Sequence, residues 1–326
     1  MAQLEAENMI LLMGVTGSGK SYFINQLMRR PIVTESQYLS SCDTPQLVEI
    51  TIGKTKVAVV DAPGFDDTKK SDAEVLDQIT QMLAAQYLLK VKLKGIIYLH
   101  RVTDNKMPGS GVKCLEMFKK ICGEAALSNV VLVTTMWGKL KDEIEGIRRA
   151  QELRDKFWNH MIERGASSTS FDGTPDNAEG IVSMLIGKKP VVLDIQREVV
   201  DKGKSLEQTA AGGMVCSQLE EYQNDNLSEI KELGNSILVA ERRRDRRAQQ
   251  NHERRKKELE REQSKAKYQR DRMRKKPGEE MQEKIDDQMT GNKVDKLSAW
   301  RNGIAIFASI VGLSFTIVGA FFGVPV

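Results

Sequence analysis

A three-layer α/β fold, with a mostly parallel six-stranded sheet between helices, is what residues 8–188 of this 326-residue chain predict. Three observations carry it. Short apolar runs alternate with longer helix-periodic ones, the rhythm of strand–helix–strand units. Runs such as "VAVV" (57–60) and "VVLV" (130–133) are apolar throughout, as strands covered on both faces are. The first apolar run also empties into a glycine-rich turn directly before a helix. Strands are expected over 9–14, 47–52, 56–61, 95–100, 129–134 and 168–171. Helices are expected over 20–29, 72–90, 110–123, 141–164 and 175–186.

The remaining chain changes character. Residues 189–302 are rich in Gln, Glu, Lys and Arg, and 215–276 contain no Pro and a single Gly, Gly234. This reads as long, solvated, coiled-coil-like helices. Their apolar seam comes in patches (Ile230, Leu233, Ile237, Leu238) and is not sustained past 241. "KKPGEE" at 275–280 should break the helix. The net charge is only +4, yet residues 242–276 hold 17 Lys/Arg against 6 Asp/Glu, so the basicity is regional. Interleaved acids, as in "KKELEREQ", point to pairing within a solvated helix, and attraction to anionic lipid is the second reading. One aromatic, Tyr268, gives no stacking pattern for a nucleic-acid partner.

Residues 304–326 carry no charge. That length suits a C-terminal membrane-spanning helix, with Lys296 and Arg301 on the cytosolic side and the G domain facing the cytosol. A hairpin or interfacial segment, or a helix folded back over the nucleotide domain, are the alternatives. Four cysteines without a Cys-x-x-Cys pair, and three histidines, argue against a disulfide scaffold and against zinc. The acidic N-terminus does not resemble a signal peptide.

"GVTGSGKS", Gly14 to Ser21, matches G-x-x-x-x-G-K-[ST] at every fixed position, between an apolar strand and an amphipathic helix. In such a loop the backbone N–H groups of Gly17, Ser18, Gly19, Lys20, Ser21 and Tyr22 cradle phosphates at a helix N-terminus. Lys20 would reach the β/γ-phosphates, and Ser21 would ligate Mg²⁺. "VAVVDAPG" then offers Asp61 for the metal and Gly64 as a γ-phosphate sensor. Within the polar stretch 32–46, Thr44 is the first choice to complete the metal shell and assist catalysis, with Ser41 second.

These motifs, with "DAPGFDDT", "IIYLHRVTDNKMPGSGVKCLEMFKKICG", "NVVLVTTMWGK" and "FDGTPDNAEGIV", resemble the AIG1-like P-loop GTPases, most closely their fungal branch. That group lies in the translation-factor-related class with septins and the Toc receptors. The resemblance implies a Ras-like fold, Mg²⁺ with GTP or GDP, weak hydrolysis, homodimers through the G domain, and membrane attachment through a C-terminal extension.

Two positions depart from the usual pattern. Phe65 stands where Ras-type enzymes place a water-orienting glutamine. Asp66, Asp67, the 32–46 loop or a partner chain would have to replace it. In the base loop, Thr135, Met136, Trp137 and Gly138 stand where Asn-Lys-x-Asp usually stands, so the guanine-reading carboxylate is missing. Trp137 can stack on a base or pack on the next helix, and Asp142 can substitute or cap that helix. Arg101 can stabilise charge or form a structural ion pair. The expectation is a membrane-tethered GTP switch with slow hydrolysis aided by dimerisation. A non-hydrolysing scaffold, or an NTPase with relaxed base specificity, is the alternative.

Overall fold

The computed structural model describes residues 8–29, 46–66, 69–104, 107–291 and 303–317. Strand β1 (Asn8–Gly14) lies between two parallel neighbours, β3 (Thr55–Asp61) and β4 (Lys92–Arg101). β5 (Val130–Thr135) joins β4 in parallel, and β6 (Ser167–Ser170) joins β5. β2 (Gln46–Ile52) turns at Gly53 and pairs antiparallel with β3. These are the six expected strands, and of the six only β2 runs opposite to the rest.

Successive side chains of a strand face opposite ways, and the two faces of the sheet build separate cores. Ile10, Leu12, Val59, Ile97 and Val131 meet α1 (Lys20–Leu27) and α6 (Pro175–Ile186) through Phe23, Ile24, Ile181 and Leu185. Leu11, Met13, Val60, Tyr98 and Leu132 meet α2 (Asp72–Leu88) and α3 (Gly109–Cys122) through Leu76, Leu83 and Phe118. Local signals set the helix starts. Ser71 and Glu74 form a reciprocal capping box at α2, and Thr174 caps α6 ahead of Pro175. The helix expected over 141–164 is interrupted. It forms α4 (Glu143–Glu152), a π turn at Leu153–Phe157, and α5 (Asn159–Glu163). The π turn closes with Trp158 N–H on Leu153 O at 2.8 Å, and the Trp158 ring is buried.

The charged segment forms an arm. Helices α7 (Ala210–Arg242) and α8 (Arg246–Met273) fold back on each other as an antiparallel hairpin. Its base is rooted in the α2/α3 core through Ala211, Val215 and Met273. Leu259, Ala266 and Met273 are buried at seven-residue steps along α8. The break between the two helices has neither Gly nor Pro. Arg244 takes φ 55°, and Asp245 caps α8 by accepting from Ala248 N–H at 3.0 Å. Pro277 opens the next helix, α9 (Pro277–Gly291).

The apolar C-terminal run corrects the expectation of a membrane-spanning helix. Among the described residues no helix is long and apolar enough to cross a membrane. The run instead gives the nine-residue α10 (Gly303–Val311), which ends at Gly312 with φ 71°. It then enters a seventh strand, β7 (Ser314–Ile317), parallel to β2. The sheet order is β6-β5-β4-β1-β3-β2-β7. A left-handed glycine followed by the aromatic and β-branched "SFTI" suits a helix stop and a strand better than a continuing helix. Ile304, Phe307, Ala308 and Leu313 are buried in the α2/α3 core. Residues 303–317 therefore fold back over the nucleotide domain, in line with the third of the readings the sequence left open.

Candidate nucleotide-binding site

The loop between β1 and α1 is held from several sides. Gly17 and Gly19 take left-handed φ values of 79° and 93°, which an L side chain resists. Thr16 N–H donates to Phe65 O at 2.7 Å, tying the loop to the residues after β3. Phe65 itself is fully buried. The position that usually orients water is here a core anchor. Asp66 turns outward and accepts from Ser110 Oγ at 3.1 Å.

Lys20 is buried and curls over the loop, donating to the carbonyls of Gly14 at 3.1 Å and Val15 at 3.2 Å. Gly64 comes so close that a Cβ there would lie 2.7 Å from Lys20 Nζ and 2.6 Å from Thr16 Oγ1. A side chain there would have to displace Lys20 or Thr16. Ser21 Oγ donates to Asp61 Oδ2 at 3.4 Å. Asp61 is buried, and its carboxyl is pushed up to about 6, chiefly by loss of solvent and against the pull of Lys20 and Ser21. Among the described residues Asp61 Oδ1 and Ser18 Oγ have no hydrogen-bond partner. A buried carboxylate oxygen left unpartnered is costly, and the other oxygen of the same carboxylate, Oδ2, holds the Ser21 hydroxyl expected to share a metal. No cluster of three His, Cys, Asp or Glu side chains exists among the described residues. Mg²⁺ is usually held by one or two protein oxygens and by substrate phosphates rather than by a protein cage.

On the other side of the loop, β5 ends in the base-loop candidates. Thr135 Oγ1 donates to Ser18 O at 2.7 Å, tying the loop after β5 to the phosphate loop. Met136 takes the left-handed φ of 65° and turns the chain. The Trp137 indole N–H donates to Thr134 O at 3.2 Å and to Thr134 Oγ1 at 3.1 Å. Its ring packs on α4, where a Cβ on Gly146 would lie 3.2 Å from Trp137 Cζ3. Asp142 caps α4 on Ile144 N–H at 2.9 Å, the plainer of its two roles. Gly138 is exposed, and a Cβ there would meet nothing within 4 Å. Neither contact nor backbone conformation requires glycine at this position. The Tyr22 hydroxyl donates to Gly173 O at 3.1 Å, bracing the loop after β6.

The structure thus brings together Gly17, Ser18, Gly19, Lys20, Ser21, Asp61 and Gly64, with Thr135 tied to them. Thr44, Ser41 and Asp67 lie outside the described residues. Two contributors carried little signal. Thr16 reaches the site only because Phe65 holds it there. Arg101 lies over the phosphate loop, its Nη1 3.0 Å from where a Gly17 Cβ would be, while its Nε donates to Asp104 Oδ1 at 2.6 Å. His100 beside it is buried, and burial lowers it to about 4. It is a neutral packing residue against Trp158 at 6.3 Å between ring centroids.

A glycine-rich loop from strand to helix, a lysine over it, and an aspartate and glycine at the next strand end define a P-loop nucleotide-binding domain. Residues 8–151 match the model of the AIG1 family. A curated relative is Translocase of chloroplast 90 of Arabidopsis thaliana, 29% identical over 133 residues. That match covers 41% of this chain and 17% of the relative, so the chain aligns with a small part of that protein's length. Among solved structures, Toc33 from Arabidopsis thaliana in complex with Mg²⁺ and GMPPNP is similar at 16% identity and a TM-score of 0.44, covering 57% of this chain and 87% of that one. Era in complex with MgGDPNP and a segment of 16S ribosomal RNA is similar at 18% identity and a TM-score of 0.42, covering 57% of this chain and 58% of that one.

Proposed function

We propose that this protein binds a nucleoside triphosphate, GTP by family, together with Mg²⁺, and hydrolyses it slowly to the diphosphate and phosphate. The observation that supports this most is the convergence of Lys20, Ser21, Asp61 and Gly64 around one loop. Ser21 and Asp61 are the residues that would hold the metal, with Thr44 as the candidate from the 32–46 stretch. The metal would offset phosphate charge as it builds in the transition state. Lys20 exchanges its carbonyl partners for phosphate oxygens, and the backbone N–H groups of Gly17 to Tyr22 orient the phosphates. Gly64 N–H reads the presence of the γ-phosphate, and its state passes to α2 through residues 65–71.

Phe65 is buried and cannot position water, which argues for slow turnover by an isolated chain. Arg101 is placed to add positive charge over the phosphates, and a second G domain would supply what is still missing. Base reading is the weaker half. Thr135 and Met136 shape the loop, but Gly138 offers no carboxylate to guanine, so GTP and ATP are separated less sharply than in a loop that carries one. Membrane attachment by a spanning tail draws no support from residues 303–317, which pack on the nucleotide domain.

Mg²⁺-dependent binding and turnover of GTP and ATP by the full chain tests the proposal. Micromolar or tighter binding that depends on Lys20 is expected, with turnover rising with protein concentration. Binding unchanged by Lys20→Ala would overturn the phosphate-site assignment. Binding without turnover at any concentration would leave a nucleotide-sensing scaffold.

A further inference from the structure

The arm formed by α7 and α8 treats its arginines in two ways. Near the base and along the body of α8, Arg255, Arg270 and Arg272 are paired, while among the described residues Arg254 and Arg261 form no ion pair. Arg272 bridges to Asp77 at 3.3 Å and to Glu74 at 3.7 Å on α2, and Arg270 pairs with Glu220. Arg255 pairs with Glu229 at 2.8 Å across the hairpin. At the tip the pattern stops. Arg242, Arg243, Arg244, Arg246 and Arg247 are all exposed, and among the described residues none of the five forms an ion pair. One acid, Asp245, lies among them and is engaged as the cap of α8, and Glu241 precedes them.

Helix stability does not explain the cluster. Arg246 and Arg247 are the first two residues of α8. There the helix dipole is positive and cations are disfavoured. Uncompensated charge at the wrong end of a helix points to a partner that brings negative charge. One turn before the arginines, Leu238 and Val239 are 54% and 46% exposed, on the faces that carry Arg242 and Arg243. Basic residues next to exposed aliphatic ones suit a bilayer interface, where charge meets headgroups and the aliphatic side chains enter the acyl boundary. Residues 241–257 contain no Phe, Tyr or Trp on which a base could stack.

We propose that the tip of the arm, Leu238 to Arg247, is a docking site for an anionic lipid surface. With 1.5 Å of rise per residue, Arg246 lies about 40 Å along the helix from Arg272. The arm therefore holds the nucleotide domain at a distance from the bilayer, with its base fixed to α2 by the Arg272 ion pairs. This docking does not rest on nucleotide binding, and a Lys20→Ala protein should dock normally.

The test is sedimentation of the full chain with vesicles of phosphatidylcholine alone and of phosphatidylcholine with about 30% phosphatidylserine. Binding to the anionic vesicles only is expected, weakening as salt rises. Reversal of four exposed charges (Arg242→Glu, Arg243→Glu, Arg246→Glu, Arg247→Glu) should reduce it at least tenfold. Leu238→Ser with Val239→Ser should weaken it several-fold without changing its salt dependence. Equal binding to neutral vesicles, binding unmoved by the charge reversal, or tighter capture of single- or double-stranded RNA than of anionic vesicles would each overturn the proposal.

Discussion

At the phosphate end of the candidate site, Lys20, Ser21, Asp61 and Gly64 close on one loop, and each has its position fixed by a neighbour. At the base end, Thr135, Met136 and Trp137 are fixed just as firmly, by Ser18, a left-handed turn and Thr134. The loop they hold nonetheless ends in Gly138, with open space around it. The scaffold of the base half is complete, and one functional group is missing from it. The proposed function thus assigns grip on phosphate and choice of base to different residues of this domain.

The comparison breaks first, and most visibly, at Lys20. Lys20→Ala removes a charged donor from the phosphates and should weaken triphosphate binding ~100-fold, about 3 kcal/mol, in isothermal titration of GTP and ATP alike. If the two nucleotides responded differently, the halves would not be independent. Gly138→Asp sharpens the contrast from the other side. Nothing obstructs the new side chain. A carboxylate accepting from the guanine edge should raise the preference for GTP over ATP ~30-fold, about 2 kcal/mol. An unchanged ratio in competition binding would place the base elsewhere.

Acid should act on the phosphate half only. Asp61 sits near 6, above its ordinary value, because burial opposes its charge. For folding, the sign is that of a raised acid. Its contribution is full below the unfolded value near 4 and is lost as pH rises through about 6. For the metal the sign reverses, because only the carboxylate binds it. Mg²⁺-nucleotide affinity should fall about tenfold per unit below pH 6, with proton release on binding, and an Asp61→Asn protein should lose this dependence. The smallest effect belongs to the tie between the halves. Thr135→Val deletes the bond to Ser18 O and should cost about 1 kcal/mol, roughly fivefold in affinity for either nucleotide.

The six strands and the phosphate loop were legible because each is written locally, in unbroken apolar runs and in a fixed spacing of Gly, Lys and Ser. Asp61 and Gly64 followed from the same logic at the next strand end. What escaped depends on contacts between distant segments. Arg101 over Gly17 was weighed from sequence, but its approach is set by Asp104 and by the packing of β4 beside β1. The arm's turn at Arg243–Asp245 lacks Gly and Pro, and its only local sign is an aspartate three residues before the N–H it caps. The π turn before Trp158 leaves no periodic mark. The tail misled because 23 uncharged residues satisfy a membrane and a protein core equally well. Gly312 and the strand-forming "SFTI" were the distinguishing signal.

That seventh strand has a consequence for β2. Without β7, one side of β2 would be a bare row of backbone donors and acceptors at the rim of the sheet, the kind of edge that recruits strands from other molecules. Residues 314–317 occupy four of its positions from within the chain. A protein shortened before Gly303 would lose that cover and uncover the apolar surface under Phe307 as well. Self-association of such a fragment would then report edge pairing, and would have to be told apart from any pairing of nucleotide sites face to face.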